Sequence, residues 1–229
     1  RFYVKWYDQG VAEADNPTKA TVYDVRIIGL NHDDKSDGSG KAGITFIFKD
    51  SVGEHAMNSN DTKSGGWEAS DMRSYLNSDG LALLPDDLKD VVVPVDKLTN
   101  NTGSSAENVS AVTVTSDSLW LYSIAELYGT LGDSFVNRIV RDSFRDVLNA
   151  EGTEYKLFRD MNVNGNEENG ILSKDYDGSL EEWWSRSSNF QYTGSFIGVP
   201  DDGKLCSPGS DFGMDFSPKL YGVVPGFCI

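Results

Sequence analysis

Residues 183–229 read WWSRSSNFQYTGSFIGVPDDGKLCSPGSDFGMDFSPKLYGVVPGFCI. Aromatic side chains recur along the stretch, and Ser, Asn, Gly and Asp fill the positions between them. From Asp160 onward regular periodicity fades, and only short apolar runs such as Phe196-Ile197 and Leu220–Val224 break the polar background. A long irregular region inside a compact domain is where function concentrates, because a rigid scaffold lets its side chains change without unfolding the core. Rigid rings mixed with small hydrogen-bonding residues are the chemistry of a recognition surface. Trp183, Trp184 and Phe227 read as core at strand ends, and the aromatics between them as binding candidates.

Upstream of this tail the patterns are more regular. Phe2, Val4 and Trp6, then Val22, Val25, Ile27 and Ile28, alternate as strands do, with Ala12–Thr18 as a polar loop between them. Asn31–Lys41 (NHDDKSDGSGK) has the composition of a solvated turn, and Ile44–Phe48 (ITFIF) reads as a buried strand. Trp67–Asn77 carries Trp67, Met72, Tyr75 and Leu76 on one helical stripe bounded by Gly65-Gly66 and Gly80. Pro85, followed by Asp86 and Asp87, opens a short helix, and a strand after it is cut short by Pro94. Asn100–Ser110 is a loop, while Val112–Thr115 and Leu119–Tyr122 are strand candidates. Asp133–Leu148 is the clearest helix, with Phe135, Ile139, Val140, Phe144, Val147 and Leu148 at helical spacing.

The chain of 229 residues is 38% hydrophobic, enough for a packed core. Its net charge of −16 repels phosphate backbones and anionic lipid heads, which argues against a nucleic-acid or membrane-surface partner. No apolar run is long enough to span a bilayer. Arg1 stands first and a strand begins at once, so the chain is expected to start inside a longer protein, with any signal or anchor upstream. Residues 1–20 read as the end of an upstream segment or a first strand, and 21–229 as one domain without repeats or linkers.

Candidate chemistry is thin. His32 and His55 are the only histidines, and no GxSxG, HExxH or CxxC pattern accompanies them, so both read as surface or structural residues. Asp211-Phe212-Gly213 spells a magnesium-binding kinase motif but lacks its partner motifs. With 36 acids, no carboxylate pair stands out for glycoside hydrolysis. Asp160, Asn162, Asn164 and Glu168 place oxygens at alternating positions around Gly165, as calcium requires, yet Ile171 stands where a bidentate Glu is needed. The segment therefore reads first as a solvated Asn/Gly turn and second as a calcium loop, which Asp175 and Asp177 would complete. Cys206 and Cys228 carry no connectivity signal, so a disulfide and two thiols both stay open.

Six segments in order, namely 26–48, 56–77, 84–101, 117–128, the WWSRS of 183–187 and the YGVVPGFCI of 221–229, together resemble a family of gut-bacterial surface domains. That family's layout resembles the variable proteins of diversity-generating retroelements. The resemblance implies an α+β fold of the C-type-lectin-like, formylglycine-generating-enzyme-like kind, with short strands, about two main helices and an irregular C-terminal region. It implies an invariant frame of Trp183, Trp184, Arg186 and Gly222–Ile229 and a variable face at about 185–221. Ligand contacts would come from Ser188, Asn189, Phe190, Gln191, Tyr192, Phe196, Lys204, Asp211, Phe212, Met214, Asp215, Phe216 and Tyr221. The expected function is binding without catalysis, of a protein or glycan on a host, bacterial or dietary surface, by a domain displayed on a cell or phage. The alternatives are a glycan-active or formylglycine-generating type of enzyme, and a structural spacer.

Overall fold

The structure, a computed structural model, describes residues 2–8, 19–103, 108–132, 142–189, 193–205 and 214–229. It is a mixed α+β fold, rich in strands. Strands β1 (Phe2–Tyr7), β2 (Ala20–Leu30), β3 (Ile44–Phe48) and the closing β13 (Gly226–Cys228) make an antiparallel sheet in the order β1-β2-β3-β13. The chain's last strand therefore packs against its third, pairing Phe227 with Phe46, whose rings stack at 5.0 Å.

A second sheet is drawn almost entirely from the tail. It contains β4 (Glu54–His55), β9 (Trp183–Ser188), β10 (Ser195–Val199), β11 (Met214–Phe216) and β12 (Tyr221–Gly222) in the order β11-β10-β9-β12-β4. The tail expected to be irregular is thus stranded. Every residue of β9 and β10 is buried, so neither strand shows the in-out alternation that betrays a half-exposed strand. Two hairpins flank the sheets: β5 (Val95–Asn100) with β6 (Val112–Asp117), and β7 (Lys174–Tyr176) with β8 (Ser179–Glu181). The second turns on Asp177-Gly178, both at positive φ (52° and 83°), the conformation that an Asp-Gly pair adopts most readily in a two-residue hairpin loop.

The helices are shorter than their sequence patterns. Residues Trp67–Ser70 form turns, and α1 (Asp71–Tyr75) begins only where the Ser70 hydroxyl accepts from the Arg73 N–H, then widens into a π turn over Leu76–Gly80. Pro85 leads into α2 (Asp86–Lys89) as expected, but the strand starts after Pro94 rather than before it. Of the segment Leu119–Tyr122, only Trp120 makes a ladder contact, with Gly226. Helix α3 (Ile124–Tyr128) follows a capping box between Ser123 and Glu126. The clearest sequence helix is described from its second half, α4 (Asp142–Asn149), where Phe144, Val147 and Leu148 are buried; Phe135, Ile139 and Val140 lie outside the described residues. A last helix, α5 (Lys156–Asp160), packs on β2. Between the sheets the core gathers Trp67, Trp120, Trp183 and Trp184, all sealed from solvent.

Candidate functional site

Strand β9 runs through the interior, and its Arg186 sets the frame. A guanidinium has five N–H donors in a rigid fork. Here they reach the Thr99 hydroxyl (2.8 Å), the carbonyls of Leu121 (2.8 Å), Leu98 (3.1 Å) and Glu151 (2.9 Å), and the Glu126 carboxylate (2.5 Å). Glu126 also accepts from Lys97 at 3.1 Å, and Lys97 donates to Asp33 at 2.5 Å and to the Tyr155 hydroxyl at 2.8 Å. Asp33 accepts further bonds from Thr45 and Tyr155. Burial opposes the charge on Asp33, but the Lys97 ammonium and these hydrogen bonds outweigh it and hold its carboxyl down at about 2. Burial likewise works against Glu126, and Arg186 and Lys97 hold it low. Glu151 differs. Its carboxylate accepts from the Asn100 N–H and the Ser187 hydroxyl, yet burial dominates and pushes it up to about 7.

Beside this spine, segment 58–66 belts together the ends of β9, β10 and β11. Asn58 donates to the Thr62 carbonyl (2.6 Å), the Ser217 hydroxyl donates to the same carbonyl (2.6 Å), and the Ser217 N–H donates to Gly194 (2.9 Å). The Asn189 N–H reaches Ser195 at 3.0 Å, and the Lys63 ammonium donates to the Asn189 carbonyl. Lys63 is 4% exposed and pairs with no carboxylate among the described residues, so burial alone pulls its pKa down to about 8. The belt passes so close to the loop after β5 that a Cβ on Gly103 (φ 60°) would lie 1.5 Å from the Lys63 carbonyl oxygen. Asn189, Gly194 and Ser217, at the ends of β9, β10 and β11, are thereby tied to one another and to this belt.

Several expected contact residues are buried, which corrects the expectation that they face a ligand. Ser188, Asn189 and Phe196 are buried because β9 and β10 are covered on both faces, with Phe196 paired between Ser188 and Asp215. Tyr221 is buried edge-on against Trp184 at 4.8 Å, with the Lys219 ammonium 4.3 Å from its ring centroid. Lys204 is half-buried, its N–H held by Asp202. Phe216 is 52% exposed, and Leu220, not singled out from sequence, is 58% exposed. Met214 and Asp215 lie in β11, their side chains outside the description; Phe190, Gln191, Tyr192, Asp211 and Phe212 lie outside the described residues.

The calcium candidates lie at the end of α5 and in the loop that follows it. Asp160 pairs with Lys156 at the end of α5, Asn162 takes a positive φ of 53°, and Asn164 bonds its own loop through the Asn162 carbonyl and the Asn166 N–H. Glu168 stands in the same loop, and among the described residues no group of three or more His, Cys, Asp or Glu is placed to hold a metal ion. Asp175 and Asp177 sit on the β7–β8 hairpin. Cys228 is a free buried thiol beside Thr45 and Asp33, and burial, followed by the Asp33 charge, pushes it up to about 12. Cys206 lies outside the described residues.

His32 lines a cleft of about 340 Å³ with Asp33, Asp34, Asp96 and Glu126, its ring 4.3 Å from that of Tyr155. Despite burial, Asp33 and Glu126 both have their carboxyl groups held low by the Lys97 and Arg186 cations and by hydrogen bonds. His55 stacks on Tyr75 at 4.5 Å, and its carbonyl accepts from the Trp184 indole N–H. Among the described residues no helix is long and apolar enough to cross a membrane.

Residues 42–229 match a family model described as Domain of unknown function (DUF6273). No curated protein and no solved structure matches the chain.

Proposed function

The chain belongs to the DUF6273 family, and from the buried strands β9 and β10 and the exposed apolar groups beside them we propose that it is a ligand-binding domain displayed on a bacterial or phage surface. In this reading the two sheets form a C-type-lectin-like frame of the formylglycine-generating-enzyme type. The chain between β9 and β12 supplies a face that can be diversified, as in the variable proteins of retroelements. Its ligand is a protein or glycan on a host, bacterial or dietary surface, and the reading assigns no catalysis to it. Ser188, Asn189, Phe196 and Tyr221 move from the face to the frame, and Leu220 joins Phe216 on the face.

One observation carries the reading: the burial contrast along a short length of chain. Trp183–Ser188 and Ser195–Val199 are buried residue by residue, while Phe216 and Leu220 expose over half of their surface directly beyond them. Apolar groups held outward by a stiff support are suited to binding, since substitutions there leave the packing untouched. The WWSRS segment with its five-fold bonded Arg186 and the GVVPGFCI end are what such a frame must keep constant.

The test is binding to a glycan array and to immobilised mucin, with the double variant Phe216→Ser, Leu220→Ser as the control. The variant is expected to lose binding while its melting temperature stays put; undiminished binding would move the face elsewhere. Turnover of chromogenic glycosides by the wild type would replace the proposal with an enzymatic one. For diversification, the decisive sign is a neighbouring reverse-transcriptase gene with an adenine-rich near-copy of the region encoding Trp183–Ile229.

A further inference from the structure

A cleft of about 710 Å³ lies between the β1–β2 edge and the tip of the β7–β8 hairpin. Tyr3, Tyr23 and Tyr176 line it together with Asp24, Asp50 and Asp177. We propose that this tyrosine-lined cleft is a second binding site, separate from the β9–β12 face, and that it takes an alkylammonium cation.

Charge and aromatic lining point the same way. Among the residues that line the cleft, Asp50, Asp175 and Asp177 carry carboxylates that outnumber the Lys49 ammonium, which is itself engaged by Asp50 at 3.1 Å. The nearby Lys174 gives no relief to the cleft. Its ammonium is turned inward and spends its donors on the carbonyls of Phe48, Lys49 and Ile171. Phenol rings offer a negative π face that attracts an organic cation more strongly than a neutral group of the same shape. The negative field is felt by the rings themselves: burial raises the Tyr23 phenol, and Tyr176, Asp177 and Asp50 raise it further.

The walls are also held in place before any ligand arrives. The Asp175 carboxylate accepts from the Gly178 N–H at 2.9 Å, the Ser51 N–H reaches the Asp175 carbonyl at 3.1 Å, and the Lys49 N–H reaches the Asp24 carbonyl at 2.9 Å. Hairpin, β2 and the turn after β3 are thus cross-linked around the opening, which lowers the ordering cost of binding.

The experiment is calorimetric titration of the whole chain with choline, with N-acetyl-lysine amide, and with the uncharged analogue of choline in which carbon replaces nitrogen. Saturable binding of choline or of the lysine amide, with none of the carbon analogue, is expected, and the tighter of the two identifies a quaternary or a primary ammonium as the natural head group. Asp177→Asn keeps the left-handed turn, which Asn tolerates, while removing charge, so it should weaken binding at least about three-fold with no change in melting temperature. Tyr176→Leu should weaken it similarly and Tyr176→Phe should not, because Phe keeps the π face. The proposal is overturned if neither cation binds, if the carbon analogue binds equally well, or if Tyr176→Phe loses as much as Tyr176→Leu.

Discussion

Arg186 donates to Glu126 at 2.5 Å with both side chains sealed from solvent, so the central strand of one sheet is tied to the first turn of α3 by an ion pair that water cannot replace. Removing one partner of such a pair leaves an uncompensated buried charge. Arg186→Met is expected to cost about 3–5 kcal/mol, read from urea unfolding at neutral pH. A loss under about 1 kcal/mol, the scale of an exposed pair, would show that the fork is dispensable.

Glu151 makes stability depend on pH in a defined window. Its folded pKa is raised from 4.5 to about 7, so its contribution is complete below pH 4.5 and is lost as pH rises through about 7. Glu151→Gln preserves the shape and removes the titration. The stability of the variant relative to wild type should therefore climb between those two pH values, and a flat difference across the window would contradict the assignment.

Lys63 gives the opposite slope at alkaline pH. Its folded pKa is lowered from 10.5 to about 8, so between these values the unfolded chain binds more protons and the folded state gains stability as pH rises. Lys63→Met removes this gain. Thermal unfolding at a series of pH values should show the wild type catching up with the variant across that interval; parallel curves would mean that Lys63 titrates normally.

Phe196 and Phe216 lie on adjacent strands, with Phe216 paired to Ser195, but at opposite extremes of exposure. Phe196→Ala should cost about 3–5 kcal/mol through the cavity it opens. Phe216→Ser should stay within about 0.5 kcal/mol. Similar losses for both would place Phe216 inside the core and remove the basis for a binding face.

Gly66 takes a φ of 58°, and a Cβ there would meet the Asn100 carbonyl oxygen at 2.1 Å. Gly66→Ala therefore combines a disfavoured backbone with a collision against main chain that cannot swing aside. The variant is expected to fold poorly, and a wild-type melting temperature would show that the belt over residues 58–66 can shift.

Local chemistry spoke plainly in several places. Ile44–Phe48, Val112–Thr115, the proline-led helix at Asp86 and the core tryptophans of WWSRS could be read from residue type and spacing, because turn formers and apolar runs act over a few residues. Two further signals of the same local kind are the Asp177-Gly178 hairpin turn and the Ser123–Glu126 capping box.

Asp33 shows what residue pattern could not convey. In NHDDKSDGSGK it looks like one more solvated acid, and only the fold brings it within 2.5 Å of Lys97. The same holds for Ser188, Asn189 and Phe196, whose polar and irregular surroundings resemble a loop until β10 and β12 close over β9. Composition and short-range spacing decided that this chain packs a core and where many of its turns fall. Which acids are neutralised and which aromatics meet water depended on partners far apart in the chain, since burial and ion pairing are set by contacts that no local window contains.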